Sequence, residues 1–346
     1  MKTFLSRLIF VLPALLLFQL NGTSQDIHFS QFSETPLLRN PALAGIFNGD
    51  VRIQGVFRSQ WNSVTVPFQT TSLNAEYKLP IGNGDDFVTI GGAILYDKAG
   101  TISLTSTSVL PVFNYHKSLS SEKNMYLSAG FSGGLVQRKF DASKVTTNDQ
   151  FNGVDNDPSM NSGENFADNN LSYLDGSAGL SFNSQVGNNP ENNMYLGIAY
   201  HHFNQSAKIS FFNNGTVKID PKWVYSAGYK TTINDEAYVT FYADYSIQGA
   251  YTEAIGGGLY SIKLDEYTDE QRYTISGGGF LRWGDAFIPM VKLEMKPLTF
   301  ALSYDVNISA LKASSQSRGG FELSLSYQGF VSHEKATNEP IRCPRF

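Results

Sequence analysis

Two-residue alternation over unusually long segments is the feature that most narrows how this chain can fold. Phe321, Leu323, Leu325 and Tyr327 alternate with Glu322, Ser324 and Ser326. Leu298, Phe300, Leu302, Tyr304 and Val306 alternate with Thr299, Ala301, Ser303 and Asp305, and the stretches Met125 to Phe131 and Val239 to Ile247 behave alike. Successive side chains of a strand point to opposite faces, so each segment has one apolar face and one small or polar face. Fourteen such segments begin near residues 50, 67, 86, 102, 123, 172, 193, 222, 236, 252, 272, 286, 297 and 318, most of them 10 to 14 residues long. Strands of soluble domains average about 5–6 residues, whereas a strand tilted across a bilayer needs about 9–11. The expectation is therefore an all-β protein, a transmembrane antiparallel β-barrel of about 14 strands. No long segment carries a helical period.

Composition agrees with this reading. Charged residues are 16% of the 346, against a usual quarter, while aromatic residues reach 13%. A disordered chain, a coiled coil and a basic nucleic-acid binder are excluded. Aromatic side chains near segment ends (Trp61, Tyr77, Tyr96, Tyr115, Tyr173, Trp223, Tyr273, Trp283 and Tyr304) suit the two interfacial belts of a membrane barrel. Counted from a periplasmic N-terminus, the even-to-odd connections Ile81 to Asp85, Asn234-Asp235 and Lys296-Pro297 are short. The longest connections, 141–171 and 205–221, fall on the outer side.

The first 24 residues read as a secretory signal: Lys2 and Arg7, the apolar run Leu8 to Phe18, then Gly22, Thr23 and Ser24. Cleavage after Ser24 leaves Gln25 first, with 24 basic and 31 acidic residues in the mature chain, a net charge near −7. No cysteine near residue 24 can carry a lipid, and Cys343, the only cysteine, has no intramolecular partner. Residues 25–49 hold too many apolar groups for a free tail (Phe29, Phe32, Leu37, Leu38, Leu43, Ile46), and Pro36 and Pro41 forbid a long regular element. The expected organisation is a signal peptide over 1–24, an N-terminal packing segment over 25–49, a barrel over 50–330 and a periplasmic tail over 331–346. The packing segment and the tail are expected at the periplasmic side or in the lumen.

No catalytic, cofactor or metal motif survives scrutiny. Gly130-Phe131-Ser132-Gly133-Gly134 spells the G-x-S-x-G string, but it lies inside an alternating strand, not at a strand-to-helix elbow. His201 and His202, adjacent on a strand, are expected on opposite faces. The loop residues Asp149, Asp155, Asn156, Asp157, Asn165, Asp168, Asn169 and Asn170 could offer calcium its hard oxygens, yet they lack an EF-hand's glycine and closing glutamate; a solvated loop is the better reading. Glycine runs at 91–92, 133–134, 256–258 and 277–279 fit barrel curvature better than space for a plug or ligand. The chain is thus expected to be a non-enzyme without cofactors. A small-solute or lipid channel is the alternative, and the low charge content counts against a water-filled pore.

Both ends carry a further signal. Gln25-Asp26, Phe29-Ser30-Gln31-Phe32, Asn40-Pro41-Ala42 with Gly45, then Arg58, Gln60 and Trp61 resemble the opening of the PorP/SprF family; Cys343-Pro344-Arg345-Phe346 is similar to that family's C-terminus. The resemblance implies an outer-membrane barrel of Bacteroidota serving the type IX secretion system, in some members linked to gliding motility. It further implies partnership with other secretion components and with a secreted surface protein, often an adhesin, bearing a C-terminal targeting domain. Outer-membrane lipid is the surrounding partner. The motif residues are expected to be structural or docking elements, with Arg58 and Trp61 fixing residues 25–49 to the barrel through charge-assisted hydrogen bonds and ring packing.

Overall fold

The computed structural model describes residues 26–61, 66–82, 84–157, 159–164, 168–206, 210–211, 218–264, 273–310, 312 and 316–331. The signal segment, Gln25, Cys343 and Pro344 lie outside these residues. Fourteen strands follow one another: β1 Val51–Gln60, β2 Phe68–Pro80, β3 Phe87–Ala99, β4 Leu104–Ser120, β5 Met125–Lys139, β6 Asn170–Gln185, β7 Asn193–His201, β8 Lys222–Asn234, β9 Ala237–Gln248, β10 Tyr251–Lys263, β11 Tyr273–Arg282, β12 Ala286–Met295, β13 Leu298–Asn307 and β14 Arg318–Gly329. Each starts within two residues of where the alternation begins.

Every strand pairs antiparallel with its chain neighbours, and β1 closes on β14, from Val51 opposite Gly329 to Gln60 opposite Gly320. Closure matters because lipid offers no hydrogen bonds, and a closed sheet leaves no unpaired backbone edge. Among the described residues no helix is long and apolar enough to cross a membrane.

The side-chain distribution is inverted relative to a soluble domain. On β14, Leu323 is 49% exposed while its neighbour Glu322 is 1% exposed. The outward set includes Ile94, Phe113, Phe131, Phe241, Leu302 and Phe321; the inward set includes Ser72, Asn74, Glu76, Asn114, Ser181 and Ser324. Tyr96, Tyr115, Trp223, Tyr273, Trp283 and Tyr304 are exposed, as an aromatic belt requires. Tyr173 is an exception, since it shares the inward phase of β6 with Ser177 and Ser181.

Short turns after β2, β8 and β12 gather at one rim. The long connections 140–169 and 202–221 sit at the other. In the first of these, side-chain oxygens close local turns. Asn152 accepts from the Val154 and Asp155 amides at 3.0 and 2.9 Å, and Asp157 from Ser159 at 2.9 Å. Within the glycine runs, neighbouring strands approach closely. A Cβ on Gly134 or Gly257 would lie 1.8 or 2.2 Å from a carbonyl oxygen of the adjacent strand.

The apolar face of β14 meets lipid. Leu323→Lys is expected to lower stability by about 2–4 kcal/mol, and Leu323→Met by less than about 1.5 kcal/mol, in urea titrations of the protein folded into phospholipid vesicles. Equal losses for the two would mean that this face does not meet hydrocarbon.

Candidate functional site

Residues 26–50 run through the lumen from one rim to the other. Asp26 stands at the long-loop rim, 3.4 Å from Lys222 and 3.5 Å from His202, with its amide donating to Gln248 at 3.2 Å. Asp50 stands at the short-turn rim, where its amide donates to the Gly329 carbonyl and its carboxylate accepts from Val331. Between them Pro36 and Pro41 each open a brief helical turn, Pro36–Arg39 and Pro41–Leu43, preceded by a 3-10 turn, Phe32–Glu34. Proline at the first helical position sacrifices no hydrogen bond, and turns this short let the chain change direction repeatedly inside a narrow space. The segment is a plug.

Its upper third is held by a charge cluster whose centre, Arg58, Arg282, Asp305 and Glu322, is nearly inaccessible. Arg58 (1% exposed) pairs with Asp305 at 3.0 Å and Glu322 at 3.2 Å, and also donates to the His28 carbonyl. Arg282 (2% exposed) reaches Asp305 at 3.4 Å and Asp285 at 2.9 Å and donates to the Ser30 hydroxyl. Glu322 accepts from the Ser30 and Gln31 amides at 2.6 and 2.7 Å, and Ser30 Oγ donates to Asp305 at 2.8 Å. Gln31 Nε2 donates to the Glu322 carbonyl and to Ser303. With its amide oxygen turned toward the guanidinium, Gln60 accepts from Arg58 Nε at 3.1 Å. Charges this deeply buried persist only when paired and hydrogen-bonded, and here plug amides supply part of that pairing. His28 Nδ1 lies 3.8 Å from Glu253.

Lower down, apolar and polar anchors alternate. Phe32 packs edge-on against Phe280 and Tyr242, within a cluster of Ile255, Leu259, Ile288 and Met290. Glu34 pairs with Lys292 at 3.1 Å. Arg39 grips Asp244 with two nitrogens, donates to the Tyr195 hydroxyl at 3.2 Å and lies 4.8 Å above the Phe32 ring. Asn40 caps the Pro41–Leu43 turn by accepting from the Ala42 amide at 2.8 Å, and donates across to the carbonyls of Leu180 and Ile198. Asn114 donates to the carbonyls of both Ala42 and Ala44, and Ser181 also donates to Ala42. The Gly45 amide donates to Glu76 at 2.8 Å.

Two wall glycines make the fit possible. A Cβ on Gly130 would stand 2.4 Å from the Ala42 nitrogen, and one on Gly179 2.0 Å from Asn40 Oδ1. The plug backbone thus rests directly on the barrel wall. Gly130 opens the G-x-S-x-G string, and here its role is to admit the plug.

Of the residues singled out in the sequence, Asp26, Phe29, Ser30, Gln31, Phe32, Asn40, Pro41, Ala42, Gly45, Arg58 and Gln60 all meet in this one assembly. Trp61 does not join it. It follows the end of β1 with φ 61°, its amide donates to the Gly319 carbonyl, and no hydrogen bond joins it to the plug among the described residues. The two histidines also depart from expectation. β7 ends at His201, and a positive φ at His202 turns that ring back toward the lumen. His201 reaches the Arg39 carbonyl at 2.9 Å, and His202 reaches Asp175 at 2.9 Å.

A model of the PorP/SprF family of type IX secretion system membrane proteins matches residues 21–327. The chain belongs to that family. Its barrel lies in the outer membrane as a component of the type IX secretion system. No curated protein matches. Among solved structures, the PorP/SprF barrel is similar to a Pseudomonas aeruginosa FadL homologue (10% identity, 85% of this chain and 94% of that one, TM-score 0.46). It is also similar to the P. putida toluene transporter TodX (10%, 87% and 95%, 0.46) and to the translocator domain of autotransporter NalP from Neisseria meningitidis (9%, 86% and 95%, 0.40).

Arg58→Ala leaves Asp305 and Glu322 buried beside one fewer cation. A loss of about 3–5 kcal/mol is expected, visible as a lower temperature at which the barrel unfolds on unheated versus heated gels; an unchanged transition would refute the anchoring role. At the rim, burial alone would lower the His202 imidazole, but its hydrogen bonds to the Asp175 and Asp26 carboxylates win and raise it to about 10. Asp26 is shifted the opposite way: burial raises it, and Lys222 and His202 hold it below the carboxylate value of 3.8. A raised base stabilises fully below its unfolded value of 6.5 and loses that contribution as pH climbs through about 10. Hydrogen exchange near residue 26 is expected to accelerate between neutral pH and pH values above 10, after correction for intrinsic rates, while the Arg58 region stays protected. Uniform behaviour of the two would rule out the rim contact as a separate latch.

Proposed function

We propose that this barrel is a non-enzymatic partner of a secreted surface protein, aiding its export or its retention at the cell surface. The short-turn rim faces the periplasm and the long connections 141–171 and 205–221 face outward. The single observation behind this reading is the plug: a lumen crossed by residues 26–50, with buried ion pairs at several heights, suits a scaffold rather than a standing pore. Rigid barrels carry recognition on their loops, and the outer connections are the longest here. The partner is a protein bearing a C-terminal targeting domain, such as a gliding adhesin, and the chain reaches the membrane through a cleaved signal peptide.

The deciding experiment is affinity capture of the tagged protein from outer membranes in mild detergent, with bound proteins identified by mass spectrometry. Recovery of a large secreted protein is expected, and recovery should fall when 141–171 is shortened. Capture of the folded barrel alone, together with steady single-channel current in planar bilayers, would overturn the reading in favour of a solute or lipid channel.

A further inference from the structure

The plug does not fill the barrel evenly. Among the described residues it leaves a hollow of about 620 Å³ at the short-turn mouth, on the side of β8 to β14. That lies within the range of about 300–1,000 Å³ typical of ligand clefts. Four lysines line it: Lys230, Lys263, Lys292 and Lys296, against two glutamates, Glu191 and Glu294. Two of the lysines are satisfied: Lys263 by Glu191 at 2.9 Å, and Lys292 by Glu34 at 3.1 Å and Glu294 at 3.8 Å. Neither Lys230 nor Lys296 has a carboxylate within 4 Å among the described residues. Lys230 instead sits 4.2 Å over the Tyr238 ring, and Lys296 is exposed at the turn. Tyr242 stands deep in the hollow, and Pro297, Leu298, Tyr327 and Phe330 form a more apolar lip.

We infer that this vestibule binds an acidic polypeptide segment arriving through the short-turn mouth, its carboxylates pairing with Lys230 and Lys296 and its backbone lying along the apolar lip. The lysine heads are point charges on flexible stems, suited to carboxylates at variable spacing rather than to one planar group. The chain supplies its own template for this contact, because Glu34, on an irregular segment threaded through the lumen, pairs from the plug side with Lys292, one of the lysines that line this hollow. A carboxylate entering beside Lys230 would gain a partially desolvated, charge-assisted contact that an exposed surface lysine does not provide.

The test uses the purified full-length protein in detergent and is independent of whether any secreted partner is captured. The probe is a fluorescein-labelled hexapeptide of alternating glutamate and alanine, followed by anisotropy at low ionic strength. Its counterpart with glutamine for glutamate is the control, and inorganic phosphate is the competitor. Saturable binding of the acidic peptide is expected, with Kd rising at least about tenfold in Lys230→Gln and in Lys296→Ala, as for loss of a hydrogen bond to a charged group. Lys296 is exposed, so its variant folds even where Lys230→Gln does not. Equal binding of the glutamine peptide, no saturable binding, or unchanged Kd in Lys296→Ala would overturn the inference. Displacement by equimolar phosphate would also overturn it, by assigning the vestibule to phosphate groups instead.

Discussion

Everything in this molecule depends on compensating charge at one buried site within the lumen. Arg58, Arg282, Asp305 and Glu322 come from four different strands and are each nearly inaccessible. Brought together without help they would leave carboxylate lone pairs and guanidinium protons unmatched at high cost. Ser30, Gln31 and the His28 carbonyl supply several of the missing partners. The plug is therefore part of the barrel's electrostatic solution, and the barrel is in turn what holds an irregular peptide in one conformation. Because β1 and β14 contribute Arg58 and Glu322, the same cluster also bridges the seam at which the sheet closes, where Arg58 stands directly opposite Glu322 in the register.

The plug's apolar side chains solve a second problem. A barrel wall that faces lipid must turn its small and polar residues inward, which leaves a lumen lined by serines, asparagines and threonines with little to pack. Phe32, Leu37, Leu43 and Ile46 supply a core from within, each meeting one of the few inward apolar patches: Ile255 to Met290 for Phe32, Ala93 and Val112 for Leu37, and Tyr195 for Leu43 and Ile46. The result is an interior made partly of hydrophobic contacts, partly of ion pairs, set in a shell whose own hydrophobic surface points away from both.

The strands were legible because two-residue periodicity is a local property. β7, β8, β12 and β14 begin at the residue where alternation begins, and the largest discrepancy is two residues, at β4, β5 and β6. The motif residues of the N-terminal segment were legible as a group, and the excess of apolar side chains there rightly implied packing. Their partners were not. Glu322, Asp305, Arg282, Asp244 and Lys292 each announce themselves as a charge on the inward phase of an alternating strand, which demands a counter-charge. Which counter-charge depends on stagger and tilt around the closed sheet, and no local pattern encodes that. His202 was misplaced for a similar reason, because one left-handed residue at the strand's end reversed the face that simple alternation assigns.

The route of the plug has a mechanical corollary. Its residue 50 continues covalently into β1 at the short-turn rim, while its residue 26 is latched at the opposite rim. The segment is thus a leash fixed at one mouth and fastened along its length. Traction applied from the short-turn side would peel it in order, Gly45 from Glu76 first, then Arg39 from Asp244, with the Arg58 cluster and the Asp26 latch yielding last. Traction from the long-loop side would load the Asp26 latch and the Arg58 cluster before any other anchor. The barrel's resistance to being unblocked is accordingly directional, set by which side of the membrane does the pulling.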